Sequence, residues 1–290
     1  MSTEIMNCST TDIDLLTIRQ IMELINQQDA IPHQAVRQAL PDIEPVVAFI
    51  VAHFPRGGRL LYVAAGTSGR IAVMDAAECP PTFGILPDRV QVRMAGGEKA
   101  IFHAAEDQED DCEAGRRAVS DWNVRRDDCV IGIAASGRTP YVLSALDEAR
   151  KKGAYTVLIA SNPIVSDVAD SCIYLATGPE VLTGSTRMKA GTAAKMVLNM
   201  ITTTAFLKLG RTFGNRMCYI QASNEKLKTR MVKTISECCS VSLQAAEKLL
   251  VDCDGEMAIA LIVGLSEKSP MQARADLYKA NGFVREAIKL

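Results

Sequence analysis

Five short runs of apolar residues, Leu60 to Ala64, Val90 to Met94, Cys129 to Ala134, Thr156 to Ala160 and Cys172 to Ala176, are separated by segments long enough to hold a helix. Strands that are apolar on both faces must be covered on both, and helix-length connections let neighbouring strands run the same way. The pattern predicts an α/β fold, a doubly wound layer around a five-stranded parallel sheet. The flanks read differently. Ahead of the sheet, Ile18, Met22 and Ile25 share one helical face and Ile43, Val46, Val47, Ile50 and Phe54 another, with Pro41 near a helix start, so 1–56 should be packing helices. Behind it, Lys226 to Cys238, Leu243 to Cys253, Met257 to Leu265 and Pro270 to Ile288 are amphipathic and predict a small helical domain over 223–290. The sheet domain is then 57–222, ending with a long core helix from Arg187 to Leu209 that Gly210 stops.

Charge narrows the partners. The 32 Lys and Arg nearly balance the 34 Asp and Glu, a net −2, so bulk attraction to nucleic acid is excluded. Nine cysteines, an odd number without a C-x-x-C pair, read as thiols of a reducing compartment. No basic patch followed by an apolar run opens the chain, and nowhere do about 18 apolar residues follow one another. A cytoplasmic, soluble protein with no membrane partner is expected.

Chemistry concentrates in three loops: Gly66-Thr67-Ser68-Gly69-Arg70, Ser136-Gly137-Arg138-Thr139-Pro140, and Gly184-Ser185-Thr186-Arg187-Met188-Lys189. Each ends a strand or loop and opens a helix, where backbone N–H groups lack helical partners and the dipole is positive. Phosphate binds at such places, with hydroxyls as further donors. The second loop is the sharper signal, since its Pro suits the first helical position. Taken singly, each loop also reads as an ordinary Ser or Thr helix cap; three together favour a phosphate-bearing ligand. A dinucleotide does not fit: the three glycine positions read Ala64, Gly66 and Gly69, and no acid closes the second run. A Gly-Lys-Ser/Thr phosphate loop is also missing.

Two sets of carboxylates stand beside these loops. Asp75 and Glu78 are three apart on the predicted helix after the first loop, and Pro80-Pro81 should end that helix, leaving Glu78 in an extended turn. Partial burial there would raise its pKa and suit it to general acid work; the alternative is an exposed helix-end glutamate. The run Glu106 to Glu113 holds six acids in eight residues. It reads either as a solvated face or as the source of a base, and it lacks the turn of a calcium loop. His103 reads as a surface or core-edge residue.

Several stretches resemble the N-acetylmuramic acid 6-phosphate etherase family, bacterial enzymes built on the sugar-isomerase (SIS) domain. They are Leu61 to Arg70, Asp75-Ala76-Ala77-Glu78-Cys79-Pro80-Pro81-Thr82, Gly132 to Tyr141, Glu180 to Thr192, Val197-Leu198-Asn199-Met200 and Gly282-Phe283-Val284-Arg285. The resemblance implies a flavodoxin-like SIS sheet, a homodimer with active sites near the interface, and no cofactor and no metal. It also implies cleavage of the lactyl ether of the sugar phosphate to N-acetylglucosamine 6-phosphate and D-lactate. By motif, Glu78 matches the family's general acid and Glu109 its second catalytic glutamate. Thr67, Ser68, Ser136 and Thr139 match the sugar-phosphate contacts, and Gly66, Gly137, Arg138, Glu180, Ser185, Thr186 and Lys189 belong to the same binding stretches. Arg138, Arg187 and Lys189 are candidates for the lactyl carboxylate. This chain departs from the family in carrying Asp107 and Gln108 between the glutamates, which makes Glu106 an alternative base. A non-catalytic sugar-phosphate sensor resembling the glucokinase regulatory protein would need the hydroxyl loops without the glutamates. An aldose–ketose isomerase would need the base without the leaving-group acid.

Overall fold

The computed structural model describes residues 2–164, 167–221 and 224–290, apart from the side chain of Glu106. The N-terminal region forms α1 (Ile18–Gln28), α2 (Ala30–Gln38) and α3 (Leu40–His53). The sheet region follows as β1 (Leu60–Ala64), α4 (Gly66–Phe83), β2 (Val90–Met94), α5 (Lys99–Phe102), α6 (Cys112–Asp121), β3 (Cys129–Ile133), α7 (Pro140–Lys151), β4 (Tyr155–Ala160), β5 (Ser171–Tyr174) and α8 (Lys189–Lys208). A hairpin, β6 (Thr212–Phe213) with β7 (Arg216–Met217), then leads to α9 (Glu225–Cys239), α10 (Leu243–Asp252), α11 (Met257–Leu265), α12 (Pro270–Lys279) and α13 (Val284–Lys289). All nine cysteines are free thiols. Among the described residues no helix is long and apolar enough to cross a membrane.

The chain divides into two compact units, Met1–Ala76 with Asp88–Thr202, and Ala77–Pro87 with Thr203–Leu290. In the first, the strands are all parallel in the order β2-β1-β3-β4-β5, the flavodoxin-like arrangement. The runs foreseen as strands are the strands, each within two residues. Central β1 and β3 are buried throughout. Leu61, Val63, Val130 and Leu158 face a core closed by Val119, Trp122, Val142 and Leu146 of the α6–α7 side. On the opposite face the Tyr62 hydroxyl donates to Asp75 Oδ2 of α4 at 2.8 Å. Asn199 Nδ2 and Thr202 Oγ1 of α8 donate to Asp75 Oδ1 at 2.7 and 3.1 Å. Asp75 is therefore a buried tie between β1, α4 and α8, and it does not share a surface with Glu78 as the three-residue spacing suggested.

Asp75→Ala removes the acceptor of three donors, the buried Tyr62 and Thr202 hydroxyls and the half-buried Asn199 amide. At about 1 kcal/mol or more each, and about 2–4 °C per kcal/mol, the melting temperature should fall by roughly 6–12 °C. A thermal scan showing a drop of under about 2 °C would mean that the three donors find other acceptors.

Three expectations fail locally. The α1 helix fully buries none of its residues, and among the described residues Ile18 and Met22 of its apolar face stay 80% and 60% exposed. Pro80 and Pro81 lie inside α4, which runs on to Phe83. The proline φ is itself helical, Phe83 packs on Phe206 with ring centroids 4.7 Å apart, and Gly84 N donates to Pro80 O at 2.9 Å. The foreseen Pro270–Ile288 helix breaks in two at Asn281 and Gly282, both with positive φ.

The second unit is helical. Met257, Ala258, Ile259, Ala260, Leu261 and Ile262 of α11 are all buried, as a helix apolar all round must be. Its core is completed by Met231, Ile235, Leu250, Ala273 and Val284.

Candidate active site

The register places the carboxyl ends of β1 and β3 side by side, Ala64 opposite Ile133. Here the connections diverge, α4 leading out to β2 and α7 to β4, which is the switch point where ligands settle in open parallel sheets. A cavity of about 290 Å³ opens there, walled by Ala65 to Ser68 of the first loop and Ala134 to Ser136 with Thr139 of the second. Arg70, Ala104, Ala105, Glu109 and Thr186 also contribute, as do Thr3 and Glu4 of the N-terminal segment.

Two helices begin at this cavity. The α4 helix starts at Gly66 with φ +52°, and Gly69 N donates to Ala65 O at 3.1 Å. The helix itself offers no acceptor to the N–H groups of Gly66, Thr67 and Ser68, whose residues line the cavity. A methyl group on Gly66 would stand 3.2 Å from Glu109 Oε1, so glycine at this position serves both the left-handed turn and the approach of the carboxylate. The α7 helix starts at Pro140 behind Thr139, whose side chain makes no cap hydrogen bond. Its hydroxyl is left for another partner, and Ser136 Oγ accepts from Arg138 N at 3.1 Å while keeping its own proton to give. Both helix N-termini suit an anion.

The third loop is different. Glu180, fully buried, accepts from Lys189 N and Ala190 N, both at 2.9 Å. The start of α8 thus already holds a carboxylate, whose charge and hydrogen bonds disfavour a phosphate there. Thr186 reaches the cavity, but Glu180, Ser185 and Lys189 do not line it. Lys189 is buried and its ammonium donates to Gln28 Oε1 at 2.9 Å; burial pulls its pKa down against the opposing pull of Glu180 and Asp29. Gly137 forms the turn of the second loop, its N–H donating to Ala134 O at 2.8 Å, while Arg138 and Arg187 point into solvent.

The Arg70 guanidinium, at the end of the first loop, faces carbonyls. Nε donates to Ile101 O at 2.9 Å, and Nη2 donates to Ala100 O and His103 O at 2.9 and 3.0 Å. It closes the C-terminal end of α5 and so holds the Ala104–Ala105 segment that leads into Glu109. His103 is exposed.

The acidic run divides as its surroundings dictate. Asp111 caps α6, accepting from Ala114 N at 2.8 Å, and Glu113 pairs with Arg116. Gln108 Nε2 donates to Asp107 Oδ2 at 2.8 Å, so these two residues engage each other, with Asp107 exposed. Half-buried Glu109 is a cavity wall residue; the Glu106 side chain lies outside the described residues. Glu78 is exposed rather than partly buried, twelve residues along α4 from Gly66, about 18 Å at 1.5 Å per residue. It does not line the cavity.

Sheet order, the switch-point cavity and its hydroxyl loops define a SIS-domain protein. The SIS domain model matches residues 117–204, and that of the glucokinase regulatory protein N-terminal SIS domain matches 43–150. The N-acetylmuramic acid 6-phosphate etherase of Geobacillus thermodenitrificans is 46% identical over 291 residues, covering 100% of this chain and 99% of the relative. That of Rhodopirellula baltica is 45% identical over 286 residues, covering 98% and 95%. The chain belongs to the N-acetylmuramic acid 6-phosphate etherase family. Among solved structures, a phosphoheptose isomerase from Neisseria gonorrhoeae aligns with 65% of this chain and 98% of its own at 13% identity and a TM-score of 0.48.

Proposed function

We propose that this protein is a cytoplasmic lyase that converts N-acetylmuramic acid 6-phosphate and water into N-acetylglucosamine 6-phosphate and D-lactate, in the breakdown and recycling of cell-wall amino sugars. The observation that carries the reading is full-length identity of 46% to an etherase combined with a cavity that sets Glu109 beside two helix N-termini, the four hydroxyl-bearing residues Thr67, Ser68, Ser136 and Thr139 of the first two loops, and Thr186. The sensor reading has no use for a carboxylate at that point, and the etherase reading requires one.

An ether oxygen is a poor leaving group, so its departure must be coupled to proton delivery and to electron density from the neighbouring carbon. The C2 proton is acidic only when C1 is an aldehyde, so the sugar reacts in its open-chain form. Glu109 takes the C2 proton and the C3–O bond breaks. Glu78 gives a proton to the departing lactate oxygen, leaving an unsaturated aldehyde. Water then adds at C3 and a proton returns to C2, which balances the overall hydrolysis. Phosphate sits at the N-termini of α4 and α7 with Thr67, Ser68, Ser136 and Thr139, so that binding energy far from C2 and C3 serves positioning. Arg138 and Arg187 are the proposed partners of the lactyl carboxylate, Lys189 being committed elsewhere.

The active species is a homodimer in this reading. An exposed apolar row formed by Leu15, just ahead of α1, with Ile18 and Met22 of α1, at 79%, 80% and 60% exposure, supports it, since such apolar stripes are usually interaction surfaces. Incubation with N-acetylmuramic acid 6-phosphate should release D-lactate in equal amount to N-acetylglucosamine 6-phosphate. Isomerised sugar without lactate would identify an isomerase instead, and tight binding without turnover a sensor.

A further inference from the structure

Residues 2 to 4 form a turn of helix fastened across the sheet's carboxyl edge. The tie is Asn162, just beyond β4 and 1% exposed. Its Nδ2 donates to Thr3 Oγ1 and to Ala135 O, both at 2.9 Å. Its Oδ1 accepts from Ser2 Oγ at 3.0 Å and Thr3 N at 3.3 Å. From the other side, Gly184 N donates to Thr3 O at 3.2 Å. One buried amide thus links this strap to the second hydroxyl loop, and Gly184 links it to the loop that enters α8.

The result is a second carboxylate on the cavity wall. Glu4 stands beside Gly184, where a methyl group would come within 3.0 Å of Glu4 Oε2; glycine there, with φ +77°, leaves the carboxylate its place. Glu4 is exposed, has no salt-bridge partner among the described residues, and accepts from the Thr3 hydroxyl at 3.5 Å. An ionised carboxylate only accepts hydrogen bonds and repels anions. It suits neither the phosphate nor the lactyl group of the ligand, but it suits a neutral O–H or N–H donor of the sugar between them.

Resting on the sugar-phosphate reading above, we propose that Glu4 is a substrate-orienting residue. It accepts a hydrogen bond from a hydroxyl or acetamido N–H of the sugar. It also bars anionic groups from the Gly184–Thr186 side, so that the phosphate enters only toward the α4 and α7 N-termini.

The test compares Glu4→Gln, Glu4→Asp and the unaltered protein in binding N-acetylglucosamine 6-phosphate and inorganic phosphate, with melting temperature as the control for folding. Loss of a charge-assisted acceptor should weaken the sugar phosphate by about 10- to 100-fold in Glu4→Gln. Inorganic phosphate should keep its affinity or gain up to about threefold, because a repelling charge has gone. Glu4→Asp should recover part of the sugar affinity. Equal weakening of both ligands would reduce Glu4 to a structural part of the strap, and sugar-phosphate affinity within about twofold of the unaltered protein would overturn the proposal, a single good hydrogen bond being worth more. Should the unaltered protein bind no sugar phosphate, the underlying reading fails instead.

Discussion

Glu109→Gln is expected to lower turnover by about 10²- to 10⁴-fold, the usual worth of a positioned general base, while N-acetylglucosamine 6-phosphate binds within a few-fold of its normal affinity. The amide keeps the shape of the side chain and its capacity to donate and accept, but it cannot take a proton from carbon. Exchange of the C2 hydrogen isolates that step. In deuterated water the unaltered protein should wash deuterium into C2 of the product sugar, and Glu109→Gln should not. The wall position of Glu109, with its carboxylate against the start of α4, is the basis for expecting such specificity. Retention of exchange in Glu109→Gln would remove the assignment, and its loss in Glu106→Gln instead would move the base three residues upstream.

Legibility in the sequence followed the range of the forces involved. The central strands β1 and β3, apolar and buried throughout, left the clearest signature, and all five strands lie where the runs predicted. The first two loops were legible because a Gly, two hydroxyls and a helix start are all local. What escaped depends on partners distant in the chain. Glu180 reaches a helix start nine residues ahead, and no local rule separates that cap from an empty anion site. Thr3 meets Asn162 across 159 residues, so Glu4 carried no signal toward a cavity built from residues 65 to 139. The short β6–β7 hairpin has two residues per strand, too few for alternation to register. The prolines in α4 misled for the opposite reason: a strong local rule yielded to the packing of Phe83 on Phe206.

Glu78→Gln should likewise bind N-acetylglucosamine 6-phosphate and lose turnover by about 10²- to 10⁴-fold, but co-expression with Glu109→Gln makes a sharper prediction. Glu78 lies about 18 Å along α4 from the end that forms the cavity, beyond the span of any side chain, and it is exposed. In the homodimer proposed above, a proton donor in that position would serve the cavity of the second copy and not the one at the start of its own helix. In a two-fold symmetric dimer, the site that takes Glu109 from the Glu78→Gln chain then takes Glu78 from the Glu109→Gln chain, and it is intact. The other site of that dimer lacks both groups. Random pairing of equal amounts makes half the dimers mixed, each with one working site of two, so about a quarter of normal activity should return. Neither variant alone should show more than traces. Failure of the mixture to recover, with mixed dimers demonstrated by tagged chains, would place acid and base on one chain.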